Sequence, residues 1–252
     1  MVRYKLTLAY DGLDFHGSQR QANKRTVQGE LEKALTKLGW TGRSVLISGR
    51  TDTGVHATGQ VASADLPWSH TDDELLRALN STLPADMSVR SVQVVDAKFH
   101  PRFDAISRTY QYRLFCQPIR DPIRERFSWR VWPVIAGDVL AGAAKQLIGT
   151  HDFSAFGSPT TPKGTTVRTV MKAEWTQASD DKWHFEVQAD AFLYRMVRRM
   201  VFVQVAVAQG KIPAELIASS LAERASVKSR SGLPSGLAPA HGLTLVKVEY
   251  RE

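Results

Sequence analysis

Ser48-Gly49-Arg50-Thr51-Asp52-Thr53-Gly54-Val55-His56-Ala57 sets an acid between two threonines, with an arginine two residues earlier and a glycine on each side of the group. Gly49 and Gly54 mark places where the backbone can turn sharply or come close to a bound molecule. Ser44 to Ser48 and Val55 to Ala64 read as strands, so Asp52 is expected on a tight loop between them. An arginine near a carboxylate favours its ionised form, and an ionised carboxylate can act as base or nucleophile. The same residues would also make a plain Asp turn closed by a local salt bridge. Spacing alone leaves both readings open.

Strands and helices alternate on either side of this loop. Arg3 to Tyr10 places Tyr4, Leu6, Leu8 and Tyr10 on one face, the pattern of a half-buried strand. Val27 to Leu38 puts Val27, Leu31, Leu35 and Leu38 on one helical face behind Thr26 as N-cap. Thr71 caps a second helix with Leu75, Leu76 and Leu79 inward, and Ser88 to Val95 returns as a strand. The second half repeats the theme. Thr109 to Phe115 is a strand, Asp138 to Ile148 a helix, and Val167 to Thr176 with Trp183 to Ala189 a hairpin. Phe192 to Gln209 follows as a long helix and Leu243 to Tyr250 as a last strand. Two similar β-α-β-β-α-β passes predict an α+β protein built from two related halves. The boundary is placed near Asp104, with residues 1–104 carrying the Asp52 loop and residues 105–252 forming the C-terminal domain.

Composition narrows the function classes. The 252 residues suffice for a sizeable core and one or two domains. Lys and Arg number 33 against 25 Asp and Glu, a net charge of +8, which suits a partner with a phosphate backbone. A single cysteine, Cys116, cannot form an internal disulfide, and no CxxC or Cys/His cluster offers a metal site. A cytoplasmic, metal-free protein is therefore the default expectation, and the lack of GxGxxG and GxxxxGK[ST] leaves no cofactor motif. Met1 to Ala9 is a strand-like run and not a signal peptide. Met200 to Ala208, the most apolar stretch, is too short to span a bilayer.

Two stretches without periodicity, Gly157 to Arg168 and Ser226 to Gly242, contain Lys163, Arg168, Lys228, Arg230 and His241. They read as surface loops; basic loops of this kind would also suit phosphate contacts. In the helix from Phe192, Arg195, Arg198 and Arg199 fall within an arc of roughly 100°. Leu193, Met196, Val197, Met200 and Val201 lie opposite, and Arg198 sits at the edge of that apolar face. A solvated basic face is the commoner meaning of such a cluster. Tyr110 and Tyr112 share one face of their strand, where a tyrosine is usually core.

Asp52 and its neighbours resemble the G-R-T-D-x-G-V-H-A segment of the anticodon-arm tRNA pseudouridine synthases, the TruA family. Further matches run in order along nearly the whole chain. Tyr10-Asp11-Gly12, Phe15-His16-Gly17-Ser18-Gln19-Arg20-Gln21, Thr26-Val27-Gln28 and Leu31-Glu32-Lys33-Ala34-Leu35 come first. Phe99-His100-Pro101-Arg102-Phe103, Arg108-Thr109-Tyr110-Gln111-Tyr112 and His151-Asp152-Phe153-Ser154-Ala155-Phe156 follow. Asp190-Ala191-Phe192-Leu193, Met196-Val197-Arg198 and Ala238-Pro239-Ala240-His241-Gly242-Leu243 close the series.

The resemblance implies the pseudouridine synthase fold, two sheet-and-helix domains with a basic central cleft, and isomerisation of uridine to pseudouridine at positions 38–40 of the tRNA anticodon arm. It implies Asp52 as the catalytic residue, Arg50 and Arg198 as its support, Tyr110 stacking on the target base and Leu243 lining the pocket. Phe99, His100, Pro101, Arg102, Phe103, Lys163 and Arg168 are candidates for RNA contact, and Arg195 and Arg199 for phosphate contact or plain solvation. Family members are homodimers, and the reaction needs no cofactor.

Three positions depart from the family pattern. Ser18 stands where Trp is common, Arg199 where Asn is usual, and Phe202 where Gly often follows. They bear on helix packing and RNA docking more than on catalysis. Two other classes stay in view: an RNA-binding protein without activity, and an enzyme acting on free nucleosides such as a glycosidase. The presence of Asp52, Arg50, Tyr110 and Arg198 argues against the first, and the basic excess against the second.

Overall fold

The computed structural model describes residues 1–161, 164–222 and 232–251. The chain divides into two compact units, one of residues 1–106 with 244–252 and one of residues 107–243. The C-terminal residues therefore belong with the first unit.

The first unit begins β1 (Val2–Tyr10), α1 (Val27–Lys37), β2 (Leu46–Ile47) and β3 (His56–Leu66). It continues α2 (Asp72–Thr82) and β4 (Met87–Val94), and recruits β10 (Leu243–Tyr250) from the chain's end. Strand order is β4-β1-β3-β10, with the two-residue β2 also on β3. The β1 alternation is realised: Tyr4, Leu6, Leu8 and Tyr10 are buried, and antiparallel pairing runs from Val2 opposite Leu66 to Tyr10 opposite Ala57. β10 joins β3 in parallel, Thr244 opposite His56. The caps form as expected. The Thr26 hydroxyl accepts the Gly29 N–H at 3.2 Å, and Thr71 with Glu74 makes a reciprocal capping box at the start of α2. Asn80 fastens α2 to β4 by bonding both the carbonyl and the N–H of Val89 at 2.9 Å.

In the second unit come β5 (Ala105–Cys116), β6 (Trp129–Val131), α3 (Gly137–Lys145) and β7 (Gly149–Asp152). They are followed by β8 (Val167–Ser179), β9 (Lys182–Ala189), α4 (Met196–Ala208) and α5 (Glu215–Ala222). Strand order is β5-β9-β8-β7, with β6 parallel to the end of β5. The core gathers Tyr112, Phe115, Phe153, Phe156, Phe185 and Met200, each almost fully buried. Gln204, the polar residue inside the apolar helix, is buried too. Its side chain accepts the Trp175 indole N–H at 2.8 Å and donates to the Met200 carbonyl at 3.1 Å, so its amide is satisfied.

One expected element begins later than its pattern. Residues 192–195 are not helical: Arg195 is left-handed at φ 63° and precedes α4, while Tyr194 N–H bonds to the Ser158 carbonyl at 2.9 Å. That bond holds the strand-like entry and forces the helix to start at Met196. Arg195 therefore leaves the helical arc it was assigned. β6, β7 and α5 carry too few periodic residues to be read in advance. Among the described residues no helix is long and apolar enough to cross a membrane.

Candidate active site

The Asp52 loop spans residues 48–55 between β2 and β3, as expected, though β2 is shorter than the five residues read for it. Its shape is set from beneath by residues 10–18. Gly54 is left-handed at φ 80°, and its N–H bonds to the Gly12 carbonyl at 3.1 Å. A Cβ on Gly12 would lie 1.9 Å from the Val55 carbonyl oxygen, so only glycine lets these two backbones touch. Gly17, at φ 81°, would carry its Cβ 2.8 Å from the Thr51 oxygen. Gly49, by contrast, has open space around it. The conformational demand expected at Gly49 falls on Gly12 and Gly17 instead.

Polar contacts finish the loop. Ser18 is fully buried, and its hydroxyl accepts the Thr51 N–H at 2.8 Å. The Ser18 departure thus bears on the Asp52 loop itself, which sequence reasoning did not foresee. Tyr10 and Thr51 share a hydrogen bond at 2.9 Å between their hydroxyls. His56 is buried with its Nδ1 accepting the Gly12 N–H at 3.0 Å, a structural role. Asp52 is half-buried and Arg50 is exposed.

Arg198 lies in the first turn of α4, half-buried. Its Nε donates to the Ala238 carbonyl at 2.8 Å. Arg199 reaches the same segment: its guanidinium bonds the Pro234 carbonyl and, at 3.0 Å, the Gly236 carbonyl. Burial lowers its affinity for a proton. Arg199 is therefore a structural cation and not a solvated phosphate contact. Phe202 packs on the same loop, where a Cβ on Gly236 would meet its ring at 2.4 Å. Two of the three departures thus share one task, seating residues 234–236 on α4.

Tyr110 and Tyr112 separate clearly. Tyr112 is fully buried, donates its hydroxyl to the Pro239 carbonyl at 2.9 Å, and has its phenol pushed well above the ordinary value by that burial. Tyr110 is half-buried, its ring edge-on to Phe192 at 5.1 Å between centroids. Leu243 is buried and follows the turn Ala240–Gly242, where a Cβ on Gly242 would meet the Tyr112 ring at 2.5 Å.

The Phe99–Phe103 segment splits into an anchor and a tip. Phe99 packs edge-on to Tyr250 at 5.1 Å, and the Pro101 carbonyl accepts the Tyr250 hydroxyl at 2.8 Å. His100 caps the turn, its Nδ1 accepting the Arg102 N–H at 3.1 Å. Phe103, 75% exposed, stacks on His100 at 4.3 Å, and the Arg102 guanidinium lies 5.8 Å from the Phe103 ring centroid. Arg168 stands in β8 opposite His151 with its Nε buried and unbonded, so it is not a freely solvated cation. Lys163, Lys228 and Arg230 lie outside the described residues. No group of three or more metal-ligating side chains occurs among the described residues.

A model of the tRNA pseudouridine synthase family matches residues 7–104 and 143–251. A tRNA pseudouridine synthase A from Chloroflexus aurantiacus (strain ATCC 29366 / DSM 635 / J-10-fl) is 39% identical over 251 residues, 97% of this chain and 87% of that protein. Its counterpart from Listeria monocytogenes serotype 4b is 38% identical over 252 residues, 99% of this chain and 100% of that one. Among solved structures, a chain of a Cbf5-Nop10-Gar1 complex aligns with TM-score 0.40 and 10% identity, covering 94% of this chain and 50% of that one. Asp52, Arg198 and Leu243 fall inside the family-matched segments, and Tyr110 falls between them.

Proposed function

The chain belongs to the tRNA pseudouridine synthase family, and from this premise we propose that it isomerises uridine to pseudouridine at positions 38–40 of the tRNA anticodon arm, with Asp52 as the reacting carboxylate. What supports the choice of Asp52 is its place on a loop built around it, half-buried on a bed of two glycines and a buried serine.

The chemistry asks little else of the protein. The bond from uracil N1 to ribose C1′ breaks, the base turns, and C5 bonds to C1′. The C5 proton leaves and N1 gains one, so no oxidant or reductant is required. One carboxylate acts first as nucleophile or base, and a cation such as Arg198 favours its ionised form. A flipped base gives up its stacking partners. Tyr110 replaces them, an aromatic contact worth roughly 1–3 kcal/mol. Leu243 supplies apolar lining. Arg50, two residues before the acid, supports it together with Arg198, and Arg102, Phe103, Arg168 and Lys163 meet the RNA. A cytoplasmic homodimer completes the proposal.

Incubation with unmodified tRNA should give pseudouridine confined to the anticodon arm, and free uridine should be left unchanged. Uracil released from free uridine would instead point to a glycosidase, and tRNA bound but unmodified to an inactive binder. Sedimentation equilibrium should give twice the 28.0 kDa chain mass.

A further inference from the structure

Thr51, the neighbour of Asp52, is gripped on two sides. Ser18 holds its main chain: the Ser18 hydroxyl accepts the Thr51 N–H at 2.8 Å, and the Ser18 N–H returns a bond to the Thr51 carbonyl at 3.1 Å. Tyr10 holds its side chain, hydroxyl to hydroxyl, at 2.9 Å. Ser18, Tyr10 and Thr51 are all buried, at 0%, 5% and 7% exposure. Water does not readily replace a bond lost there, and an unpaired polar atom is costly.

Gln60 extends the network. Its Oε1 takes the Ser48 hydroxyl at 2.6 Å and the Val61 N–H at 3.2 Å. The amide nitrogen therefore faces the Gly49 carbonyl at 2.9 Å and the Tyr10 oxygen at 3.5 Å. The Tyr10 oxygen thus lies between the Gln60 amide and Thr51 Oγ1. Burial raises the Tyr10 phenol above its ordinary value, against the pull of these hydrogen bonds. It stays neutral at working pH.

We propose that Tyr10 and Ser18 are positioning residues for the reaction at Asp52: by fixing Thr51 from both sides they present the adjoining carboxylate in one geometry. The proposal rests on Asp52 being the reacting group. Misplacing a reacting atom by about 1 Å can cost on the order of 10²-fold in rate. RNA docking, spread over many phosphate contacts, is far less sensitive to such a shift.

The test compares Tyr10→Phe, Thr51→Val, the double variant and Thr51→Ser, measuring single-turnover rate on tRNA, tRNA Kd and Tm. Each of the first two should slow turnover about tenfold, with Kd within about twofold of the starting protein. Both remove the same hydrogen bond, so the double variant should be no slower than the slower single one. Thr51→Ser keeps the hydroxyl and should recover most of the rate, a rescue that packing alone would not give. Tyr10→Phe at full rate, losses that multiply in the double variant, or a rate falling only with the folded fraction would overturn the proposal. Failure of the starting protein to modify tRNA, or full activity of Asp52→Asn, would instead overturn the assignment of Asp52.

Discussion

Arg198 and Ala238 bond to each other twice: the Arg198 Nε donates to the Ala238 carbonyl at 2.8 Å, and the Ala238 N–H donates to the Arg198 carbonyl at 3.1 Å. The first turn of α4 is thereby locked to the segment that leads into Leu243. Side chain and main chain of one residue cooperate, which aims the guanidinium and fixes the loop together.

Arg198→Met separates these two roles. Loss of one charge-assisted bond to a carbonyl should cost stability about 1–3 kcal/mol, while the reciprocal main-chain bond remains. Turnover should fall much further, at least tenfold beyond any change in tRNA affinity, if Arg198 is the cation that supports the reacting carboxylate, as proposed above. Rapid-quench rates beside filter-binding constants check the split, and equal losses in both would refute it.

Asp52→Asn should abolish pseudouridine formation with Tm and tRNA Kd nearly unchanged. The loop's shape resides in main-chain bonds such as Val55 N–H to the Asp52 carbonyl at 3.1 Å and in the Thr51 contacts, all of which the isosteric change leaves in place. Appreciable product from this variant would remove Asp52 from the chemistry.

Tyr110→Leu and Tyr112→Leu should behave as opposites. Tyr112 is fully buried and bonded to Pro239, so its replacement should cost roughly 2–4 kcal/mol of stability. Tyr110 is only half-buried; its replacement should leave Tm nearly unchanged and lower the single-turnover rate by the stacking contribution, about 1–3 kcal/mol. A destabilised but active Tyr110 variant would return that residue to the core.

Acid should loosen the bed of the Asp52 loop. Arg25 grips Asp86 through two bonds of 2.7 Å, and Asp86 main chain also receives the Asp11 N–H at 2.9 Å. The hydrogen bonds from Arg25 are the chief cause holding the Asp86 carboxyl below its ordinary value. A carboxyl depressed on folding contributes stability that is fully present above its unfolded value, about 3.9, and is lost as pH falls through the folded one. Asp65 and Asp181, lowered by Arg3 and Arg124, act in the same sense. Tm should therefore fall steeply below about pH 4, and Asp86→Asn should flatten that limb; an unchanged slope would show the pair to be without effect.

How far the sequence could be read depended on the range of the forces involved. The β1 alternation, the Thr26 and Thr71 caps and the β8–β9 hairpin rest on near neighbours, and each is legible in a short window. The Asp52 motif was visible for the same reason. Its support was not: Gly12, Gly17 and Ser18 reach the loop across more than thirty residues of chain, through backbone groups and one buried hydroxyl, which leave no periodic trace. Arg195 and Arg199 were misplaced because a helical arc assumes that every residue in it is helical and that its outer face meets water. The Ser158–Tyr194 bridge breaks the first assumption and the Pro234–Gly236 carbonyls the second.

The Phe103 tip offers the sharpest check on RNA contact. Phe103 is 75% exposed, stacked on His100 and close to the Arg102 guanidinium. An exposed aromatic contributes little to folding, whereas an aromatic face beside a cation suits an unpaired base next to its phosphate. Phe103→Ala should leave Tm within about a degree, since surface changes usually stay within ±0.5 kcal/mol, and should weaken tRNA binding by about 1–3 kcal/mol. Arg102→Ala should lower the salt slope of binding by about one if its charge meets a phosphate. Phe99→Ala is the counterpart: its ring packs on Tyr250, so Tm should drop and any loss of affinity should follow the folded fraction. A Phe103 variant that binds tRNA as tightly as the starting protein, at every salt concentration, would take this tip out of the interface.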